Sequence, residues 1–294
     1  MQKLIKFLLI SSLAVLSIYS FGPSAETLLQ KKKAPPVSAQ PEQTSPVVKT
    51  DADPLADNKI PPITDSKIES IKAKIKAAYP QVTIDTVTQS PIKDWLEINA
   101  GNNVLYVSED SRYVMVGELL DITLNEDDRN LTENARRKFR VKLLDNLNPK
   151  DMVIYPVKEG KEKRATVLAF VDSDCGYCQK LHEESDKLAE AGIELRYLAF
   201  PRAGVGSPTY THMVSAWCAD NPLEAFNAIM KHQEIPAKEC TNPVSDQFLL
   251  GQKLGLSGTP TLFFEDGTMI PGYMPADKLA EEAVKHKVGT IKPK

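Results

Sequence analysis

The feature that most constrains this chain is the run ATVLAFV, Ala165 to Val171, followed at once by DSDCGYC, Asp172 to Cys178. A continuous apolar run of this length suits a strand buried on both faces. It delivers Cys175 to the place where a strand ends and a helix begins. The free N–H groups of a helix's first turn, together with the macrodipole, favour an anion there. A thiolate is such an anion, and in Cys-X-X-Cys pairs the first thiol's pKa falls to roughly 3.5 to 7.5. Cys175 is therefore expected to be ionised and nucleophilic near neutral pH. Cys178, one turn on and facing into the helix, is expected to be the resolving thiol. Gly176 and Tyr177 set the geometry and hydrogen bonding around the two sulfurs. Asp174 opposes thiolate formation, because like charges disfavour each other; an exposed carboxylate is screened, so the helix terminus is expected to prevail. Asp172 has two readings, a proton acceptor for Cys178 or an exposed carboxylate.

The surrounding pattern places this pair in a fold. Ile193 to Phe200 reads as a second strand, completing a βαβ unit with the helical stretch that ends near Gly192. A helical region follows from Ser207 to Leu254, in which Asn221-Pro222 gives an N-cap followed by proline at the first helical position. TLFF and TMIPGY, around Glu265-Asp266-Gly267, form a hairpin. An amphipathic helix from Pro275 to Lys287 closes the unit. A βαβ half, a helical insertion and a ββα half make the thioredoxin arrangement. Pro260 in SGTPT opens an apolar strand and would interrupt it, unless the preceding bond is cis and makes a tight turn. In a thioredoxin fold that turn stands opposite the Cys-X-X-Cys pair, where its peptide group can hold an extended substrate. Thr259 and Pro260 are thus the expected substrate contacts, with Gly176 and Tyr177.

Rival uses of the cysteines are weaker. A structural zinc site needs four ligands; Cys218 and Cys240 are not a second Cys-X-X-Cys, and His182 reads as a solvent-facing residue on the first pair's helix, so no metal is expected. Cys218 and Cys240 read as a structural bridge pinning the helical insertion, worth roughly 3 kcal/mol in the chain-entropy model. That reading needs an oxidising compartment, and the N-terminus points to one. Lys3 and Lys6 precede an apolar run from Phe7 to Phe21, with small residues at Ser20, Gly22 and Ser24, the pattern of a signal peptide. The run is short for a membrane span, although an uncleaved anchor is the alternative. With 36 basic against 39 acidic residues, no field draws the chain to nucleic acid.

A 294-residue chain with a 42% hydrophobic fraction has room for a second core. Residues 31–62 are rich in Pro, Ser, Asp and Lys and read as a disordered tether. Order is expected from Thr64: Ser66 and Glu69 have capping-box spacing, and Ile68, Ile71 and Ile75 share a helical face that ends before Pro80. Strand-like runs begin at Val82, Asp94, Asn103 and Tyr113, separated by turn residues. This small α+β unit carries no cysteine or histidine and reads as a part for assembly or binding. A helix from Leu131 to Leu147 follows, its Arg136, Arg137, Lys138 and Arg140 read as a solvated face.

Together VDSDCGYCQKLHEE, RYLAFPRAG, the Cys218 and Cys240 pair, LGLSGTPT and GYMPADKL closely resemble the DsbC-type disulfide isomerases of the Gram-negative periplasm. The likeness runs from about Ser66 to Lys287. After the leader read at 1–24 and the tether at 25–63, it implies a cystatin-like dimerisation domain at 64–128, a linker helix at 129–148 and a thioredoxin-like catalytic domain at 149–290. Two protomers would form a V whose cleft holds misfolded exported proteins, with Gly117 in the dimerising strand region. The resemblance implies isomerisation and reduction of incorrect disulfides, an accompanying chaperone activity and an inner-membrane thiol reductase of the DsbD type as electron source, with no soluble cofactor. The CGYC dipeptide fits the isomerase better than CPYC or CPHC relatives. A dedicated reductant, an oxidase and a plain holdase chaperone are the alternatives. The tether and Asp174 depart from the usual pattern.

Overall fold

The structure, a computed structural model, describes residues 63–287. The expected leader and nearly all of the expected tether lie outside the described residues. Helix α1 (Asp65–Ala78) lays Ile71 and Ile75 on a four-stranded antiparallel meander. Its strands are β1 (Thr86–Gln89), β2 (Trp95–Ala100), β3 (Asn103–Ser108) and β4 (Val114–Val116), in that spatial order. Period-two alternation divides the sheet's faces. Leu96, Ile98 and Val107 pack with α1, while Val104 and Tyr106 turn to the opposite side and meet Ala135. The expected capping box does not form. Thr64 is the N-cap and Ser66 lies inside the first turn, because the Thr64 carbonyl already accepts from the Lys67 and Ile68 amides. Two strands are shorter than the pattern suggested: the segment from Val82 is extended in strand pairing only from Thr86, and that from Tyr113 only to Val116.

Helix α2 (Leu131–Leu144) is capped by the Asn130 side chain, which accepts from the Glu133 amide. Its basic residues are not the solvated face that their spacing suggested. Only Lys138 of the four is exposed. Arg140 is buried, donating to both Glu133 carboxylate oxygens and, at 2.8 Å, to the Gly267 carbonyl. Arg137 pairs with Asp266. Arg136 pairs with Glu118 at 2.8 Å and donates to the Asn102 carbonyl. Three guanidinium groups thus tie α2 to the meander on one side and to a hairpin turn far along the chain on the other. The reason is acceptor supply: buried arginines need partners, and here backbone carbonyls and carboxylates from both sides provide them.

The second sheet has the order β5-β7-β6-β8-β9. Strand β6 (Ala165–Val171) is central and runs parallel to β7 (Ile193–Ala199). Strand β8 (Thr261–Phe263) pairs antiparallel on its other side, and β9 (Met269–Pro271) continues the hairpin. Strand β5 (Val153–Tyr155), a short edge element that the sequence did not signal, pairs antiparallel with β7. Helices α3 (Gly176–Glu183) and α4 (Ser185–Glu190) link β6 to β7. The insertion comprises α5 (Pro208–Trp217), α6 (Pro222–Ile229) and α7 (Val244–Lys253), and α8 (Ala276–Lys285) closes the unit. Proline follows the N-cap in both α5 and α6, whose Ser207 and Asn221 side chains each accept a first-turn amide. Among the described residues no helix is long and apolar enough to cross a membrane.

Candidate active site

Strand β6 ends at Val171, and four residues later Cys175 is the N-cap of α3. Cys178 follows one turn on. The two sulfurs are unbridged, and their surroundings differ sharply: Cys175 keeps 5% exposure beside the exposed Gly176 and Tyr177, whereas Cys178 has 0%. Only Cys175 can be reached from outside. Opposite it, the Thr259–Pro260 bond is cis, and the Cys175 sulfur lies 3.2 Å from the Thr259 carbonyl oxygen.

The same contacts separate the two acidities. The Cys175 thiol drops from the ordinary 9 to about 5, chiefly because the Cys178 thiol hydrogen-bonds it. Burial opposes this, while the Thr259 side chain and the amides of Cys178 and Tyr177 add to it. Cys178 moves the other way: burial, then the hydrogen bond it makes to Cys175, raises its pKa far above the thiol range. One sulfur is held as an anion, and the other as the proton-bearing group that steadies it.

Asp172 and Asp174 sit in different surroundings. Asp172 is buried, not exposed, and both its oxygens are engaged. Oδ1 accepts from the Asp174 amide at 2.8 Å; Oδ2 accepts from the Arg202 amide at 2.8 Å and from Arg202 Nε at 2.9 Å. The carboxylate welds the approach to Cys175 onto the segment after β7. Asp174 is exposed and accepts from the Thr209 hydroxyl. Replacing Asp172 with Asn keeps the shape but removes the charge facing Arg202. The expected loss is about 1–3 kcal/mol of stability, read from the urea midpoint of the oxidised protein; an unchanged midpoint would show the pair to be idle.

His182, expected to face solvent, is instead buried. Its ring lies against Tyr155, Tyr197 and Phe226, and Nδ1 is 3.2 Å from the Tyr197 hydroxyl. Burial, then the Lys231 charge, lowers its pKa to about 4, so it is neutral at pH 7. It packs the far end of α3 against those rings. Cys218 and Cys240 are joined in a disulfide whose Cα atoms are 5.7 Å apart, tying the end of α5 to the segment before α7. Gly117 lies just past β4, exposed, with open space where a Cβ would stand. Among the described residues no cluster of three or more His, Cys, Asp or Glu side chains is placed to hold a metal ion.

Arg202 and Tyr273 reach the site without having been singled out from the sequence. Arg202 lies in RYLAFPRAG, and the parallel pairing of β6 with β7 carries the ends of both strands to one edge of the sheet. That topology was the available signal.

A thioredoxin-type sheet with an accessible low-pKa thiol, a buried partner and a facing cis-proline defines a dithiol–disulfide exchange protein. Residues 155–287 match the thioredoxin-like domain, and residues 39–133 match the disulfide bond isomerase protein N-terminal domain. The second match begins inside the stretch read as a tether. The chain is 31% identical over 201 residues to the thiol:disulfide interchange protein DsbC of Escherichia coli K12, covering 68% of this chain and 81% of that one. It is 33% identical to the DsbC proteins of Dickeya dadantii, with 68% and 81% covered, and of Haemophilus influenzae, with 71% and 87% covered. The chain therefore belongs to the DsbC family of thiol:disulfide interchange proteins, and its activity is that of a thiol–disulfide oxidoreductase and disulfide isomerase.

Proposed function

We propose that Cys175 is the attacking sulfur, Cys178 the resolving one, and Thr259–Pro260 with Gly176 and Tyr177 the substrate contacts. The observation that carries this reading is the pairing of a low-pKa, reachable sulfur with a peptide group 3.2 Å away at a cis-proline. The Cys175 thiolate attacks one sulfur of an incorrect disulfide, forming a mixed disulfide and releasing a substrate thiolate. That thiolate can attack a second disulfide of the substrate, forming a new pairing and freeing another substrate thiolate; when this one attacks the substrate sulfur of the mixed disulfide, Cys175 leaves as the thiolate, with no net redox change. Alternatively Cys178 loses its proton and displaces the substrate, so that two electrons reach the substrate and Cys175–Cys178 becomes oxidised. A membrane thiol reductase of the DsbD type then restores the dithiol.

The protein acts in the periplasm as a homodimer on exported proteins, using residues 64–128 for dimerisation, 129–148 as linker helix and 149–290 for catalysis. Support for self-association comes from β4, an unpaired sheet edge. Val114, Met115 and Val116 are exposed on it, with Tyr113 just before and Leu120 and Ile122 beyond. Such an edge is a template for a second chain. A cleft between protomers would add chaperone activity. Recovery of scrambled ribonuclease is expected with wild type and not with Cys175→Ser; equal recovery by both would leave only a holdase. Sedimentation equilibrium at micromolar concentration should give a dimer, and a monomer would overturn the assembly.

A further inference from the structure

We propose that Tyr273, with Tyr177 and Lys180, forms a subsite for an aromatic or large aliphatic side chain next to the substrate's reacting cysteine. The proposal rests on the exchange reading above and gives that site a preference among unfolded polypeptides.

Tyr177 belongs to the CGYC turn yet is 65% exposed, so its ring adds little to the core. A lone exposed tyrosine would be free to move. This one is backed by Tyr273, whose ring stacks on it with centroids 6.3 Å apart and planes 26° from parallel. Tyr273 is itself fixed. Its hydroxyl donates to Glu184 over 2.7 Å, and the same carboxylate oxygen accepts from the Ala276 amide at 2.9 Å. Lys180 Nζ stands 4.6 Å from the centre of the Tyr273 ring. A carboxylate at the hydroxyl and a cation at the ring hold the platform from α3 and its C-cap.

The platform is continuous with the exchange groove. Strand β9 pairs Pro271 with Thr261, and the next amide, Gly272 N–H, donates to the Pro260 carbonyl at 2.8 Å. Tyr273 therefore begins one residue beyond the backbone that closes the cis-proline turn, and Tyr177 lies two residues from Cys175. A chain extended along Thr259 with its cysteine at Cys175 places a neighbouring side chain over these rings. An apolar, preferably aromatic, side chain gains area burial and ring stacking there. Because the rings are already ordered, less conformational entropy is lost on binding.

The test uses the reduced full-length protein and two short peptides, Gly-Cys-Phe and Gly-Cys-Gly, each capped at the cysteine as a mixed disulfide with thionitrobenzoate. The Cys175 thiolate attacks the peptide sulfur. The peptide–thionitrobenzoate bond breaks, the Cys175–peptide bond forms, and thionitrobenzoate leaves with the electron pair and is read by absorbance. Wild type is expected to react with the Phe peptide about three- to tenfold faster than with the Gly peptide. Tyr273→Ala should bring that ratio to about one, and Tyr273→Phe, which keeps the ring and loses only the Glu184 bond, should retain most of it. A wild-type ratio near one, or a ratio that survives Tyr273→Ala in a cooperatively folded variant, would overturn the subsite. Failure of the exchange reading looks different: neither peptide would release thionitrobenzoate faster from wild type than from Cys175→Ser.

Discussion

Limiting iodoacetamide at pH 7 should modify Cys175 and leave Cys178 untouched, with a rate advantage of up to about a hundredfold over an ordinary thiol at equal intrinsic reactivity. The thiolate is the reacting species, and an ordinary thiol with a pKa near 9 is only about 1% ionised at pH 7. Cys175, held near 5, is almost wholly ionised there, while Cys178 is buried and pushed the other way. The alkylation rate should reach half its plateau near pH 5. The same shift acts on stability. Folded Cys175 binds its proton less tightly than the unfolded thiol, so its contribution is fully present above pH 9 and is lost as the pH falls through 5. Cys178 has a raised folded pKa, so its contribution is complete below pH 9 and declines only above it. Of the two cysteines, only Cys175 changes the balance between pH 5 and 9. The urea stability of the reduced wild type should therefore gain on reduced Cys175→Ala as pH rises, by about 2 kcal/mol at pH 7 after allowance for solvent screening. Equal labelling of both cysteines, or a stability difference that does not vary with pH, would remove the thiolate from the mechanism.

The Cys175–Cys178 pair at the strand–helix junction was legible because its determinants are local. An apolar run, a helix start and a Cys-X-X-Cys spacing all lie within Ala165 to Cys178, and Pro260 announced its turn by interrupting a strand. The misreadings share one physical cause, partners that arrive from far along the chain. His182 looks exposed on its own helix, and Phe226 of α6 is one of the rings that bury it. Arg140 looks solvated until the Gly267 carbonyl, 127 positions later, comes within 2.8 Å. Asp172 had two readings, a proton acceptor for Cys178 or an exposed carboxylate, and the exposed one failed because the pairing of β6 with β7 brought Arg202 onto it. The short β5 escaped notice because three residues carry too little periodicity, and its strand character comes from the β7 edge.

The arginine clamp leads to the second large expectation, that Gly267→Val destabilises the protein by on the order of 3–5 kcal/mol. Gly267 turns the β8–β9 hairpin with φ +81°, a left-handed conformation, and a Cβ there would come 2.4 Å from the Arg137 carbonyl oxygen and 2.9 Å from a Val141 methyl. The closest obstacle is backbone, so no side-chain rotation relieves it; either α2 or the hairpin must move. Movement would break several bonds together, since Arg137 holds Asp266 in that turn and Arg140 donates to the carbonyl of Gly267 itself. Gly204 provides the control. It has φ +88° but nothing within 4 Å of an added Cβ, so Gly204→Val should incur only the backbone preference, about 1–2 kcal/mol. Urea midpoints of the two variants separate packing from conformation. If Gly267→Val falls no further than Gly204→Val, α2 is not seated on the hairpin in solution, and the arginines must find their partners elsewhere. If it falls as expected, the helix that joins the two sheets is held at the very hairpin whose first strand begins right after Pro260, and the cis-proline side of the exchange groove is mechanically continuous with the N-terminal domain.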